Sequence, residues 1–109
     1  MIAHMRIVAL ISSLLLTMPM APAADLAKGK AVYDEECESC HSANGAPNAA
    51  LEKKLKLKMK DLRDATVLAK PDAEWKKMIV AGVGKMKPVK GLSASGVDDV
   101  IAYSRSLKK

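Results

Sequence analysis

The sequence is short of the aromatic residues that usually fill the core of a small protein. It contains no phenylalanine, one tryptophan and two tyrosines among 109 residues. A chain of this length forms at most one domain, and such a small domain usually needs a metal or a cofactor beside its hydrophobic core. We therefore expect a bound group to complete the core.

The sequence also lacks an apolar run long enough to cross a bilayer, which takes roughly 20 residues. Residues 7–16 are apolar apart from two serines, follow a weakly basic start and precede small residues at Ala21 and Ala23. This pattern is typical of a cleavable secretory signal rather than of a membrane anchor. We predict a signal peptide over 1–23 and one domain over 24–109 that is periplasmic and not inserted in the membrane.

Metal-binding side chains are scarce as well. The chain has two cysteines and two histidines, and His4 lies within the predicted signal peptide. The remaining Cys37, Cys40 and His41 are one short of the four ligands of a structural zinc site. A zinc site would therefore need a carboxylate as its fourth ligand.

These three residues belong to one motif, Cys37-Glu38-Ser39-Cys40-His41. A Cys-x-x-Cys-His sequence is typical of c-type haem attachment. Each thiol can form a thioether bond with a haem vinyl group, and the adjacent imidazole can bind the iron axially. We predict one covalently attached haem c bound through Cys37, Cys40 and His41, with His41 as an iron ligand.

Two other interpretations of the cysteine pair remain open. A Cys-x-x-Cys pair can be a thiol–disulfide redox centre because this spacing lowers a thiol pKa. Such a pair should follow an apolar strand, whereas Tyr33-Asp34-Glu35-Glu36 precedes this one. The other alternative is a small structural disulfide in an exported protein.

Hydrophobic periodicity predicts an all-α domain of three main helices joined by long loops. The first helix is expected over 25–40, and the second runs from Pro71 to a glycine stop at Gly82. The last begins at Ser93 or Ser95 and continues towards the C terminus. A haem would give the long loops a surface to pack on.

Residues 49–62 fit a helix and a strand almost equally well, and we favour a short helix. The same stretch is the most basic part of a chain with a formal net charge of +6. Its lysines form either a solvated face or a docking patch for an acidic protein surface. Nucleic acid is not an expected partner, because the lysines have no aromatic residues among them. The lysines are Lys53, Lys54, Lys56, Lys58 and Lys60.

A second axial ligand is expected for an electron-transfer haem. Bis-histidine ligation is excluded because His41 is the one histidine after signal removal. Met59, Met78 and Met86 remain, together with a lysine or an open position. Met86 lies in a loop between a glycine and a proline and can reach the iron without distorting a helix. We predict Met86 as the sixth ligand, since a thioether suits iron in this setting.

Further short motifs accompany the haem motif. They are Gly29 and Tyr33, Ala73-Glu74-Trp75-Lys76-Lys77, Gly82-Val83-Gly84-Lys85-Met86-Lys87-Pro88, Lys90-Gly91-Leu92-Ser93 and Ile101-Ala102-Tyr103-Ser104-Arg105-Ser106-Leu107. With these motifs, essentially all of the mature chain resembles the class I monohaem cytochromes c of the small bacterial type.

This resemblance implies an all-α, class I cytochrome c-like fold, with loops wrapped around a covalently attached haem. It also implies that the first and last helices cross near Gly29 and Tyr103, and that Met86 is the distal ligand. The carbonyl of Pro47 would accept a hydrogen bond from the His41 ring. In function, the resemblance implies a single-electron carrier of a periplasmic respiratory or oxidative chain, not an enzyme, whose iron cycles between Fe(II) and Fe(III).

Two alternatives to a simple carrier remain. One is a haem enzyme or redox subunit with a labile sixth ligand and peroxide chemistry. The other is a thiol–disulfide oxidoreductase without haem. Expected partners are redox proteins with acidic docking surfaces. The protein itself is expected to be a monomer or a subunit of a redox complex. The family usually has proline directly after the ligand methionine, whereas Lys87 follows Met86 here.

Overall fold

The computed structural model describes residues 13–17 and 23–109, so most of the predicted signal peptide lies outside the described residues. Within these ranges the chain contains six helices and no strand, which confirms the predicted all-α class. No helix among them is both long and apolar enough to span a membrane. The helices are α1 (Leu26–Glu36), α2 (Glu38–His41), α3 (Ala49–Leu55), α4 (Ala65–Leu68), α5 (Asp72–Ala81) and α6 (Ala94–Ser106).

The three helices of ten or more residues, α1, α5 and α6, correspond to the three main helices of the prediction. Asp25 caps the start of α1, since its side chain accepts a hydrogen bond from the Lys28 amide. The single helix predicted over 25–40 is wrong in one respect: it is divided at Cys37, where φ is −118°. Periodicity reports which side of a helix is apolar, and it does not detect such a local change of backbone angle.

Helices α1 and α6 cross in close contact at Gly29, as the resemblance implied. A Cβ atom on Gly29 would lie 2.1 Å from the backbone oxygen of Asp99 and 2.9 Å from Cβ of Tyr103. Glycine is therefore required here to let the two backbones approach. One turn along α1, the rings of Tyr33 and Tyr103 meet edge to face with 5.3 Å between centroids.

The core combines apolar side chains from α1, α4, α5 and α6. Helix α4 was not predicted, and it contributes a valine whose carbonyl accepts a hydrogen bond from the indole of Trp75. Two apolar residues of α1 and α5 lie outside the core: Leu26 is 51% exposed and Met78 is half-buried. The core residues are Tyr33, Val67, Trp75, Ile79, Val97, Val100 and Ile101.

Residues 49–62, whose sequence fits a helix and a strand almost equally well, are helical in their first half and irregular in their second. Helix α3 occupies its first half and ends at Lys56, whose φ of 53° is left-handed. Beyond it the chain is irregular, and residues 57–60 alternate between half-buried and exposed. The Glu52 carboxylate stabilises this change from helix to irregular chain by accepting a hydrogen bond from the Met59 amide at 2.7 Å. The helix prediction is thus right for 49–55 and wrong for 56–62.

Candidate functional site

The candidate site is built on α2, a single turn that directly follows α1. Cys37 is half-buried at its start, Cys40 is exposed and His41 is half-buried at its end. Both thiols are free. Because three-residue spacing on a helical turn brings side chains to the same side, one turn can present two thiols and an imidazole to one planar group.

The environment of Cys37 disfavours thiol–disulfide chemistry. Burial, with smaller contributions from the nearby Glu36 and Cys40, raises the pKa of the Cys37 thiol to about 11. The thiol is therefore protonated at neutral pH. Reactive cysteines of redox pairs have lowered pKa values, which Cys37 lacks.

The imidazole of His41 is suited to metal ligation. Burial lowers the pKa of His41, which favours the neutral ring, the form that binds metals. Its Nδ1 atom is buried and has no hydrogen-bond partner among the described residues. The expected hydrogen bond to the Pro47 carbonyl is therefore not formed, and that expectation is corrected. A half-buried, neutral imidazole directly beside two free thiols fits a residue that would bind a haem iron through Nε2.

The backbone after His41 is held by the hydroxyl of Tyr33, which is fully buried in the core. This hydroxyl donates to the Ser42 carbonyl at 2.6 Å, with the His41 carbonyl at 3.2 Å. Ser42 itself has a φ of 56°, which is uncommon for a residue other than glycine. The chain thus reverses direction immediately after the histidine, and Tyr33 holds the reversal.

Asn48 holds the same end of α2 from the other side. Its side-chain NH₂ donates to the Ser39 carbonyl, and its backbone N–H donates to the Cys40 carbonyl, each at 3.1 Å. Its side-chain oxygen meanwhile accepts from the Leu51 amide and caps α3. Asn48 is not among the residues predicted from the sequence. The rule that asparagine often precedes a helix as its N-cap could have found the contact with α3.

The loop over 42–48 is anchored by the segment that precedes α4. The Leu62 amide donates to the Gly45 carbonyl at 3.0 Å. Next to it, the Arg63 guanidinium donates twice to the Asp61 carboxylate, at 2.9 and 2.8 Å. These hydrogen bonds hold the pKa of Asp61 well below its ordinary value.

Met86 lies in a tight turn that α5 supports. The amide and carbonyl of Met86 exchange hydrogen bonds of 2.9 Å with those of Val83. Gly82, which ends α5 with a φ of 75°, lies directly beneath the turn: a Cβ atom there would lie 2.6 Å from the Met86 carbonyl oxygen and 2.9 Å from Pro88. The Met86 side chain is half-buried.

The three candidate methionines differ in their surroundings. Met86 packs against the hydrophobic core, as Cys37 does. Met59 and Met78 are half-buried but do not belong to the set of side chains packed on that core. The structure therefore brings Met86 and the first cysteine of the motif to the same apolar cluster.

The five lysines between 53 and 60 are all exposed. Among the residues that the structure describes, none of these lysines lies within 4 Å of a carboxylate, whereas Lys30, Lys70, Lys76 and Lys109 do form ion pairs. We refer to these five residues as the lysine patch. Its positive charge is not neutralised by the protein itself.

In the described part of the chain, no group of three or more His, Cys, Asp or Glu side chains is placed to hold a metal ion by itself. The zinc alternative, which needed a carboxylate near the motif, therefore finds no support. Two free thiols and a neutral imidazole are instead the set of groups that attaches a haem.

Comparison with protein families gives a match over most of the chain. The family model described as cytochrome c oxidase, cbb3-type, subunit III matches residues 24–103, a range that includes the Cys37–His41 motif and Met86. No curated protein matches the chain. Since the match covers most of the sequence and agrees with the all-α fold, the chain belongs to this cytochrome c family and is a monohaem c-type cytochrome with a covalently bound haem c.

Proposed function

We propose that the protein is a single-electron carrier of a periplasmic respiratory or oxidative chain. In this proposal Cys37 and Cys40 attach the haem, and His41 and Met86 bind its iron. Cytochrome c family membership supports haem-based electron transfer. The observation that carries the finer proposal is that Cys37 and the Met86 turn both pack against one hydrophobic core.

When bound, the haem supplies an iron that exchanges one electron between Fe(II) and Fe(III). The residues of the chain control the conditions of that exchange. Burial keeps the His41 ring neutral and able to donate a lone pair. The turn beneath Met86 holds a thioether in place without a helix having to bend. A thioether and an apolar surrounding both favour the less charged ferrous state and raise the reduction potential.

The lysine patch supports a partner with an acidic surface. Exposed charges of one sign raise the rate of association with oppositely charged partners, and salt weakens the effect. The five lysines are exposed and free of ion pairs among the described residues, so their charge is available to a partner. We propose that this patch docks acidic redox proteins.

A second candidate function is that of a redox subunit in an oxidase complex. The printed description of the matching family, a subunit of a cytochrome c oxidase, favours it. Gel filtration distinguishes a free carrier from a complex subunit. It is applied to the membrane-free fraction and to the detergent-extracted fraction that contain the exported protein. A free carrier elutes as a small protein, and a subunit elutes with a large complex.

The attachment proposal is tested by mass spectrometry of the exported protein. The expected mature chain begins at Ala24 and carries one haem that survives acid denaturation. Variants with Cys37→Ser or Cys40→Ser should retain a single thioether bond. Two free thiols or a disulfide without haem would instead favour the oxidoreductase alternative.

The docking proposal is tested by electron transfer to small charged probes. Reduced protein should react with an anionic iron hexacyanide faster at low salt than at high salt. Lys53→Glu with Lys56→Glu should reduce that rate. Lys28→Glu with Lys108→Glu, which makes the same charge change elsewhere on the exposed surface, is the matched control. Equal effects of the two double variants would show that net charge, and not the patch, governs the reaction.

A further inference from the structure

We propose that Tyr33 and Asn48 are positioning residues for His41: together they hold the carbonyls at the end of α2 and thereby fix the orientation of the imidazole. The inference rests on the proposed ligation of the haem iron by His41. Neither residue is proposed to touch the iron itself.

The first argument is the hydrogen bonding at the end of α2. A helix leaves its last four carbonyls without partners inside the helix. Here Asn48 donates to the carbonyls of Ser39 and Cys40, and the Tyr33 hydroxyl, whose single hydrogen is aimed at the Ser42 carbonyl, also lies within reach of the His41 carbonyl. A helix of one turn has little rigidity of its own. Its orientation therefore depends on these two residues.

The second argument is the backbone of Ser42. A positive φ at a residue other than glycine persists only where its surroundings hold it. The shortest contact to this residue from another element is the 2.6 Å hydrogen bond from Tyr33. Loss of that bond would let Ser42 relax towards an ordinary φ. His41, as its direct neighbour, would move with it.

The third argument is that the imidazole has no hydrogen bond of its own to orient it. Metal-binding histidines usually donate their second ring nitrogen to a carbonyl or a carboxylate, which fixes the ring. In the described residues Nδ1 of His41 has no such partner. The hydrogen bonds from Tyr33 and Asn48 to the backbone that carries the ring are therefore the polar contacts available to position it.

Both residues are themselves fixed. Tyr33 is 0% exposed, and its ring contacts that of Tyr103. Burial also raises the pKa of Tyr33, so its hydroxyl remains a donor. Asn48 is half-buried and bonds α2 and α3 at once. A movement of α2 would have to break contacts to two other helices.

The test uses four holoprotein variants in two matched pairs. Tyr33→Phe removes the hydroxyl that holds α2, whereas Tyr103→Phe removes the hydroxyl of the other ring in the pair, which forms no hydrogen bond within the described residues. Asn48→Asp keeps the oxygen that caps α3 and replaces the donor to Ser39. Asn44→Asp makes the same chemical change in the same loop. The Asn44 side chain uses only its oxygen, which accepts a hydrogen bond from the Ala46 amide.

The measurement is the proton NMR spectrum of the ferric protein, in which the order and spread of the haem methyl shifts report the plane of the axial imidazole. It is made well below the unfolding temperature of each variant. Tyr33→Phe and Asn48→Asp should both change this pattern and shift the reduction potential. Tyr103→Phe and Asn44→Asp should retain the wild-type pattern, even if they lose some stability.

Wild-type methyl shifts in both Tyr33→Phe and Asn48→Asp would overturn the inference and leave the haem ligation intact. Should Tyr33→Phe fail to fold with haem, the comparison of Asn48→Asp with Asn44→Asp decides by itself. A wild-type spectrum without histidine ligation would instead contradict the proposed function, so the two failures are distinguishable.

Discussion

Gly82→Ala provides a sharp test of the link between the end of α5 and the Met86 turn. The added Cβ would lie 2.6 Å from the Met86 carbonyl oxygen and 2.9 Å from both N and Cδ of Pro88. A carbon atom does not approach other heavy atoms this closely without a covalent bond. Two of the three contacted atoms, the Met86 oxygen and the Pro88 nitrogen, belong to the backbone. The turn that carries Met86 must therefore move away from α5.

The expected magnitude has two parts. A side chain at the φ of 75° and ψ of 168° of Gly82 raises the free energy of the folded backbone by about 1–3 kcal/mol. Displacement of the turn also weakens its two hydrogen bonds between Val83 and Met86, each worth about 1 kcal/mol. We expect Gly82→Ala to lower the free energy of unfolding by about 2–4 kcal/mol. It should also weaken the methionine–ferric iron charge-transfer band and lower the reduction potential.

Gly91→Ala is the matched control. Gly91 has a similar φ of 82°, but a Cβ atom there meets nothing within 4 Å. A side chain at this positive φ still carries a backbone cost, of about 1–3 kcal/mol, but without a clash. Urea unfolding of both holoproteins gives the stability, and the ferric spectrum gives the state of the ligand. If both variants lose equal stability and both keep the band, the contact of Gly82 with Met86 does not hold the ligand turn.

Three further predictions concern the haem, its sixth ligand and an ion pair. Cys37→Ala with Cys40→Ala should leave a largely unfolded apoprotein by circular dichroism, because the aromatic-poor core needs the haem; a cooperative unfolding transition would contradict this. Met86→Ala should abolish the charge-transfer band and admit azide or carbon monoxide. Met78 is half-buried outside the core, so Met78→Ala should keep the band and lower the free energy of unfolding by about 1 kcal/mol. Asp61→Asn should destabilise the protein at pH 7, where the lowered pKa of this carboxyl contributes to stability. The difference from wild type should shrink as the pH falls below about 4, and a constant difference down to pH 2 would refute the assignment.

Local signals predicted the regular elements well. A proline with acids after it marks the start of α5, a glycine with a positive φ ends it, and Ser93 caps α6 through its hydroxyl. Each signal depends on a few neighbouring residues, and short-range backbone chemistry is sufficient to set it. The same signals do not explain α4, a single turn whose Val67 joins the core and accepts a hydrogen bond from the Trp75 indole.

The candidate site, like the fold, could be predicted from the sequence only in part. The haem motif could be recognised from five adjacent residues, because covalent attachment needs two thiols at a set spacing and one imidazole beside them. Met86 was favoured by the flexibility of its loop, and its contact with the core supports that choice. The expected partner for the His41 ring was wrong: Nδ1 has none, and the holding contacts are made to the backbone instead. Sequence spacing does not report which carbonyl a buried hydroxyl will reach.

The sequence by itself determined the all-α class, the position of the haem motif and the need for a cofactor, because composition and local periodicity are sufficient for each. Its resemblance to the class I cytochromes c also placed the crossing of α1 and α6 near Gly29. The tertiary structure alone decided the left-handed bend at Lys56, the position of Tyr33 under the end of α2 and the bridge that Asn48 forms between two helices. These features depend on contacts between residues that are distant along the chain or on competition between a local preference and packing. Such contacts exist only once the helices have come together.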